Sequence, residues 1–213
     1  MVYSASCSTN INKPGKLRVV FDCSAEYGGI SLNKAVHQGP DLTNKLVGVL
    51  LRFREKRFGI MSDVEAMYHQ VTVAPQHKDA LRFLWWENGD IDKPTEVYRM
   101  KSHLFGGIWS ASAANYALKR TTIDNKDMYD SEITYAIVNN FYVNDLLHSV
   151  SSEKKGILVA QQIQECLARG GFKLNKWMSN SKKILATFPK ENQAKSVHMD
   201  MQGLMDHRLM KCN

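Results

Sequence analysis

The sequence predicts an α+β fold, with antiparallel sheet packed on helices in place of a doubly wound parallel sheet. Three features predict it. Phe141-Tyr142-Val143-Asn144-Asp145-Leu146-Leu147 sets an acidic two-residue step between a β-branched and aromatic run at 133–143 and an apolar run at 146–150. That pattern suits a tight hairpin with Asn144-Asp145 at its tip. A second pair of strand-like runs, 80–86 and 96–100, flanks the turn dipeptide Asn88-Gly89. Elsewhere apolar residues recur at helical spacing, so helices and antiparallel pairs are mixed along one chain.

The elements follow in order. Residues 17–21 read as a strand, and Gly28-Gly29 and Gly39-Pro40 as turns. From Asp41, the apolar residues Leu42, Leu46, Val49, Leu50 and Phe53 mark a helix that ends near Phe58-Gly59. Residues 60–73 read as a strand running into a short irregular or helical piece. Ser110 suits the cap of a helix reaching about Arg120, because alanine-rich sequence follows it. Ile157, Leu158, Gln161, Ile163 and Leu167 make a further helix, stopped by Gly170-Gly171. There is no internal repeat and no low-complexity tract.

The chain has 213 residues, enough for one sizeable core or two small lobes. Its 28 Lys+Arg against 21 Asp+Glu leave a formal charge of +7, which favours an anionic partner. Arg169, Lys173, Lys176, Lys182, Lys183 and Lys190 follow one another with no acidic residue between, and a second basic run is Arg52-Phe53-Arg54-Glu55-Lys56-Arg57. Such runs are either solvated faces or a track for phosphates. Cys7, Cys23, Cys166 and Cys212 lack paired spacing, so neither a zinc site nor a disulfide framework is indicated and a reducing compartment is expected. The first residues lack a basic stretch followed by an apolar one, and no apolar run approaches a membrane span, so the expectation is an intracellular, soluble protein.

At a hairpin tip, Asp145 is open to an ion, and hard cations select carboxylate oxygens. Asp63 closes an apolar strand at 58–61 and can converge with Asp145 although 82 positions separate them. The same Asp63, ahead of Val64-Glu65-Ala66-Met67, also suits a helix N-cap.

These residues carry a family resemblance. Phe141-Tyr142-Val143-Asn144-Asp145 looks like the Tyr-x-Asp-Asp box of reverse transcriptases, with Asn144 at the first aspartate. Other segments occur in matching order: Lys16-Leu17-Arg18-Val19-Val20-Phe21-Asp22, Ser31-Leu32-Asn33, Gly39-Pro40-Asp41-Leu42, Asp63-Val64-Glu65-Ala66-Met67-Tyr68-His69-Gln70-Val71 and Leu81-Arg82-Phe83-Leu84-Trp85. Phe105-Gly106-Gly107 with Ser110 and Gly170-Gly171-Phe172-Lys173-Leu174, then Lys176-Trp177 and Ser179-Asn180, complete the series. Together they resemble the reverse transcriptases of BEL/Pao long-terminal-repeat retrotransposons, over about 16–185.

The resemblance implies a right-hand polymerase palm with partial fingers and without a thumb. The implied reverse transcriptase domain is 1–189, with fingers pieces at about 1–59 and 75–104, palm at about 60–74 and 105–189, and a tail of unknown structure at 190–213. It implies an RNA-directed DNA polymerase of a retrotransposon polyprotein, using two Mg2+ (or Mn2+) ions about 3.5–4 Å apart. Asp63 and Asp145 are the implied metal ligands, with the carbonyl of Val64, and Asn144 is the degenerate catalytic position. Arg18 corresponds to a basic residue gripping the incoming triphosphate, although its local sequence equally suits an exposed strand arginine. Tyr68 matches the aromatic gate against a ribose 2′-hydroxyl, and an aromatic beside an apolar strand also suits the core. Phe105 and Gly106 match a turn under the nascent base pair, where the family's proline after the serine is replaced by Ala111. Lys173, Lys176, Lys182 and Lys183 are the implied template–primer contacts; Lys176 also corresponds to a lysine that protonates leaving pyrophosphate, or is a generic surface residue.

Two unit charges about 4 Å apart interact by roughly 4 kcal/mol at an effective dielectric of about 20. An amide in place of a ligand carboxylate therefore costs about a thousandfold or more in rate. Three readings compete: an impaired reverse transcriptase domain, an inactive or repurposed nucleic-acid-binding module, and a fragment too short to fold. Implied partners are RNA or DNA template–primer, deoxynucleoside triphosphates and other polyprotein parts, with no membrane. The expected location is the cytoplasm, in a retrotransposon particle, or the nucleus.

Overall fold

The computed structural model describes residues 5–10 and 13–194, with side chains from 21 onward. They form mixed helix and antiparallel sheet in two compact units: one made of Met1–Leu42 and Ala66–Tyr116, the other of Thr43–Glu65 and Ala117–Asn213. The second segment of the tail, 195–213, and the side chains of Arg18, Cys7 and Cys212 lie outside the described residues.

In the first unit, β1 (Ala5–Asn10) and β2 (Lys13–Phe21) form an antiparallel pair, which includes the expected strand at 17–21. The helix α1 (Leu32–Ala35) is capped by the Ser31 hydroxyl, which accepts from Lys34 N–H. Leu32 joins Cys23, Val73, Leu81 and Leu104 in a small buried cluster, with Phe21, Val36, Met100 and Trp109 packed against it. Gly28 and Gly29 take left-handed φ of 59° and 79° between the bridged residues Tyr27 and Ile30, as a turn requires.

The second unit opens with α2 (Leu46–Phe53), shorter at both ends than the sequence predicts. At its start Asn44 is drawn aside: its amide donates to the carbonyls of Val138 (3.0 Å) and Phe141 (2.8 Å), so the chain before Lys45 stays outside the helix. At its end, β3 (Phe58–Val64) takes Phe58 and Gly59 into the sheet opposite Val150 and Ser149. A Cβ on Gly59 would lie 2.9 Å from the Phe53 ring, so the helix and strand meet this closely only without one.

After β3 the chain returns to the first unit. There α3 (Met67–Gln70) and the hairpin of β4 (Arg82–Trp86) with β5 (Thr95–Arg99) follow as expected, but a 3-10 stretch at Pro75–Leu81 takes the first two residues of the strand expected at 80–86. The helix α4 (Ser110–Asp124) contributes its first residues to this unit and its last to the other. Ser110 does not cap it. Its buried hydroxyl instead donates to the Leu104 carbonyl at 2.7 Å. The helix also runs four residues beyond Arg120, because Thr121 and Thr122 satisfy their hydroxyls on the carbonyls of Ala117 and Leu118, and Arg120 pairs with Asp124.

The largest departure is 133–143, expected as a strand. It is mostly α5 (Ser131–Asn139), and only Phe141–Tyr142 remain strand, as β6. Ile133, Ala136, Ile137 and Asn140 are all buried, an i, i+3, i+4, i+7 stripe that outweighs the β-propensity of the same residues. The hairpin partner is β7 (Asp145–Val150).

β6-β7-β3-β8 is the strand order of the four-stranded antiparallel sheet, with β8 spanning Leu174–Ser179. The helix α6 (Glu153–Arg169) starts at Ser152, whose hydroxyl accepts from Lys155 N–H, and buries Val159, Ala160, Ile163, Cys166 and Leu167. Burial of each large apolar side chain contributes about 1.5–3 kcal/mol. The helix stops as predicted: Gly171 at φ 80° lets its own N–H reach Ala168 O while Phe172 N–H reaches Leu167 O. The short α7 (Lys182–Leu185) is capped by Ser181 and buries Ile184. A Cβ on Gly156 would lie 2.4 Å from Ile184 Cδ1, so α6 and α7 approach there through a glycine. Residues 190–194 stay on this unit, where the Gln193 amide donates to the carbonyls of Leu185 and Phe188.

Candidate functional site

In the second unit the sheet brings five of the predicted residues together: Asp63, Val64, Asn144, Asp145 and Lys176. Asp63 sits within β3, opposite Asp145 of β7 on one side and Asn175 of β8 on the other. This strand position excludes the helix-cap role: the cap position of α3 belongs to Ala66, at φ 48°. The hairpin turn is displaced by one residue from the predicted Asn144-Asp145. Tyr142 pairs with Asp145, so the turn is Val143-Asn144. Val143 adopts φ 55°, rare for a β-branched residue and costing about 1–3 kcal/mol. The turn is held there by Val64 N–H, which donates to the Asn144 carbonyl at 2.9 Å.

Asp63 Oδ2 accepts from Asn144 Nδ2 at 2.8 Å and lies 3.1 Å from Lys176 Nζ. The opposite amide orientation would set two oxygens against each other, which fixes the assignment. Asp63 is the more enclosed of the two carboxylates, with its side chain 20% exposed. Although Asp145 is exposed by surface area, partial desolvation and then the neighbouring Asp63 hold its carboxyl above the usual aspartate range, with Lys176 offsetting part of the effect. Glu65 pairs with Lys173 at 3.0 Å, and that hydrogen bond holds its carboxyl below the usual range.

The predicted lysines divide. Lys176 reaches Asp63 and Lys173 reaches Glu65, whereas Lys183 pairs with Glu153 of α6 at 3.0 Å and Lys182 is exposed on α7. Sequence reasoning missed what positions them. Asn175 Oδ1 accepts from Lys176 N–H at 2.8 Å, and the buried Ser62 hydroxyl donates to the Asn175 carbonyl at 3.0 Å. Asn175 stands beside Lys176 in sequence, but its partner Ser62 is 113 positions away.

In the first unit Tyr68 and Phe105 stand with ring centroids 4.6 Å apart and planes inclined 55°. Tyr68 is half-buried, which pushes its hydroxyl above the usual tyrosine range, while Phe105 is 59% exposed. Gly106 adopts φ 96°, and a Cβ there would lie 2.9 Å from the Phe21 carbonyl oxygen. Asn33 fixes this loop: its amide donates to Gly106 O (3.0 Å) and its side-chain oxygen accepts from Ile108 N–H (3.1 Å). Asn33 lies in one of the recognised segments, yet nothing local reveals a partner 73 positions on.

The thiols of Cys23 and Cys166 are free and buried, and burial followed by Asp22 pushes Cys23 up to about 11. No helix among the described residues is long and apolar enough to cross a membrane.

No family model matches the chain, and no curated protein matches it. Solved structures do. A prototype foamy virus protease-reverse transcriptase mutant superposes with a TM-score of 0.62 at 14% identity, covering 85% of this chain and 21% of that one. The foamy viral protein in complex with double-stranded DNA gives 0.60 at 13%, covering 82% and 26%. The same protein with an RNA/DNA hybrid gives 0.58 at 14%, covering 82% and 20%. The chain thus has a reverse-transcriptase-like fold and spans about a fifth to a quarter of the length of these structures.

Divalent ions are what the sequence resemblance implies. Asp63 and Asp145 offer carboxylates and Val64 a carbonyl, but Asn144 turns its NH2 toward Asp63, and the Lys176 ammonium lies against the same oxygen. No group of three or more His, Cys, Asp or Glu able to hold a metal occurs among the described residues. As arranged, the donor set does not fit a pair of divalent ions.

Proposed function

We propose that this chain is a reverse transcriptase domain of a BEL/Pao-type retrotransposon polyprotein, one that holds template–primer and is impaired in nucleotidyl transfer. The observation that supports it best is the pairing of Asp63 with Asp145 across adjacent strands beside an amide at Asn144. Two carboxylates at one end of the two inner strands suit a charge-stabilised phosphoryl-type reaction, and the amide removes one negative ligand from it. In this reading 60–74 and 105–189 are palm and 1–59 and 75–104 are fingers. Lys173, Lys176, Lys182 and Lys183 meet phosphates, and Tyr68, Phe105 and Gly106, with Arg18, meet the nucleotide.

A second reading, a binding module without catalysis, is favoured by the ammonium already seated on Asp63. Primer extension on an RNA template, with magnesium and then manganese, separates the two. Weak extension that manganese enhances supports the first reading; binding without any extension supports the second. Full activity in magnesium removes the claim of impairment.

A further inference from the structure

We propose that Lys176 is the resident cation of the Asp63 edge, installed by a β-bulge, and that it competes with divalent ions for that carboxylate. The inference deepens the polymerase-type reading, and rests on it in taking this edge as the one that would face an ion.

The bulge is visible in the register. Met61 pairs with Met178, and Asp63 pairs with Asn175. Lys176 and Trp177 therefore stand opposite the single residue Ser62, and a bulge of this kind re-aims a side chain. Burial along β8 agrees. Leu174 and Trp177 are both buried, although residues three apart on a regular strand face opposite sides. Lys176 takes φ 55°, a conformation that persists in a non-glycine residue only where its surroundings impose it. Those surroundings are built: Asn175 Oδ1 holds the Lys176 N–H, and Ser62, 4% exposed, holds the Asn175 carbonyl.

The outcome is an ammonium 3.1 Å from Asp63 Oδ2, with the Asn144 amide on the same oxygen at 2.8 Å. That oxygen already accepts one hydrogen bond and sits in an ion pair with the ammonium. The neighbouring Glu65 is paired with Lys173, so of the three carboxylates here Lys176 pairs directly with Asp63. A divalent ion approaching Asp63 must displace Lys176 and meets its positive charge while doing so.

The test is Mn2+ binding followed by the loss of the free-ion electron paramagnetic resonance signal, on the full chain without nucleotide. Lys176→Met is expected to tighten Mn2+ binding about tenfold or more relative to wild type, and Asn144→Asp to add to that gain. Lys93→Met, which removes a positive charge paired with Glu87 in the other unit, is expected to leave the affinity unchanged. Lys176→Gly, which accepts the left-handed backbone, serves if the methionine variant melts early. Equal affinity in wild type and a folded Lys176 variant overturns the proposal, as does wild-type binding of two Mn2+ at micromolar concentration. Template–primer affinity of the wild type, measured at low salt without divalent ions, tests the underlying reading separately. If that binding is absent while the Mn2+ gain is present, the polymerase-type reading fails and the role of Lys176 stands.

Discussion

Asn144 donates its side-chain N–H to Asp63 Oδ2 at 2.8 Å, so the residue that departs from the reverse transcriptase box is bonded to the carboxylate it would otherwise accompany. The amide is a structural member of the edge. It replaces a like-charge contact by a hydrogen bond.

Asn144→Asp should consequently lower stability in the absence of metal and raise extension in its presence. Loss of the hydrogen bond and a third carboxylate beside Asp63 and Asp145 cost about 1–3 kcal/mol. Excess Mn2+ should recover it, because a ligand of the folded state stabilises that state. Thermal melts with and without Mn2+ check this, and primer extension should rise at least about a hundredfold. Asp63→Asn in the same background should abolish the gain. A folded Asn144→Asp variant that binds template–primer and extends nothing shows that the lesion lies elsewhere.

Template–primer affinity should fall steeply with salt, the logarithmic slope counting the phosphates neutralised. Lys182→Ala should lower that slope by about 1. Lys183→Ala should lower it less, because Lys183 is already paired with Glu153. A flat salt dependence would remove the phosphate-track role of 169–190.

Tyr68→Ala should raise the ratio of ribonucleotide to deoxynucleotide incorporation in any variant with measurable extension. The ring leans on the exposed Phe105, so truncation opens space at the surface of the unit. An unchanged ratio with surviving activity would assign Tyr68 to packing alone.

Gly106→Ala should destabilise the first unit by about 1–3 kcal/mol, through both the positive φ and the approach to the Phe21 carbonyl. Urea unfolding followed by tryptophan fluorescence checks it. A stability equal to wild type would mean the loop moves without cost.

Stability should fall as pH drops from about 6.5 toward 4, because of His148. Its Nδ1 faces Asn140 Nδ2 at 2.8 Å, and Asn140 is oriented by Arg52 Nε on its oxygen at 2.7 Å. Nδ1 therefore accepts, and the neutral ring carries its proton on Nε2, a buried atom with no partner. Burial pushes the imidazole down to about 4. The unfolded chain binds the proton first, so His148 penalises the folded state progressively through this window, by on the order of 3 kcal/mol in total. Circular dichroism melts from pH 7 to 4 should show the slope, and His148→Phe should flatten it. An unchanged slope in that variant would assign the acid sensitivity to other groups.

What the sequence determined by itself was what depends on near neighbours: the mixed α+β class, the β4–β5 hairpin, the glycine stop of α6, and the ordered segments that resemble a reverse transcriptase. These are set by backbone conformational preference and short periodicities, which one chain displays directly. Tertiary structure decided the rest. The β-branched run at 133–139 became helix because its buried stripe packs on α6 and β6, and the hairpin turn moved by one residue because Val64 clamps the Asn144 carbonyl. In the candidate site, Asp63 and Asp145 were legible as carboxylates, but their direct pairing was not. Nor was the ammonium on Asp63, which depends on a bulge fixed by Ser62, 113 positions from Asn175. Contacts between residues so far apart in sequence leave no local pattern, because their free energy is gained only when the strands are already paired.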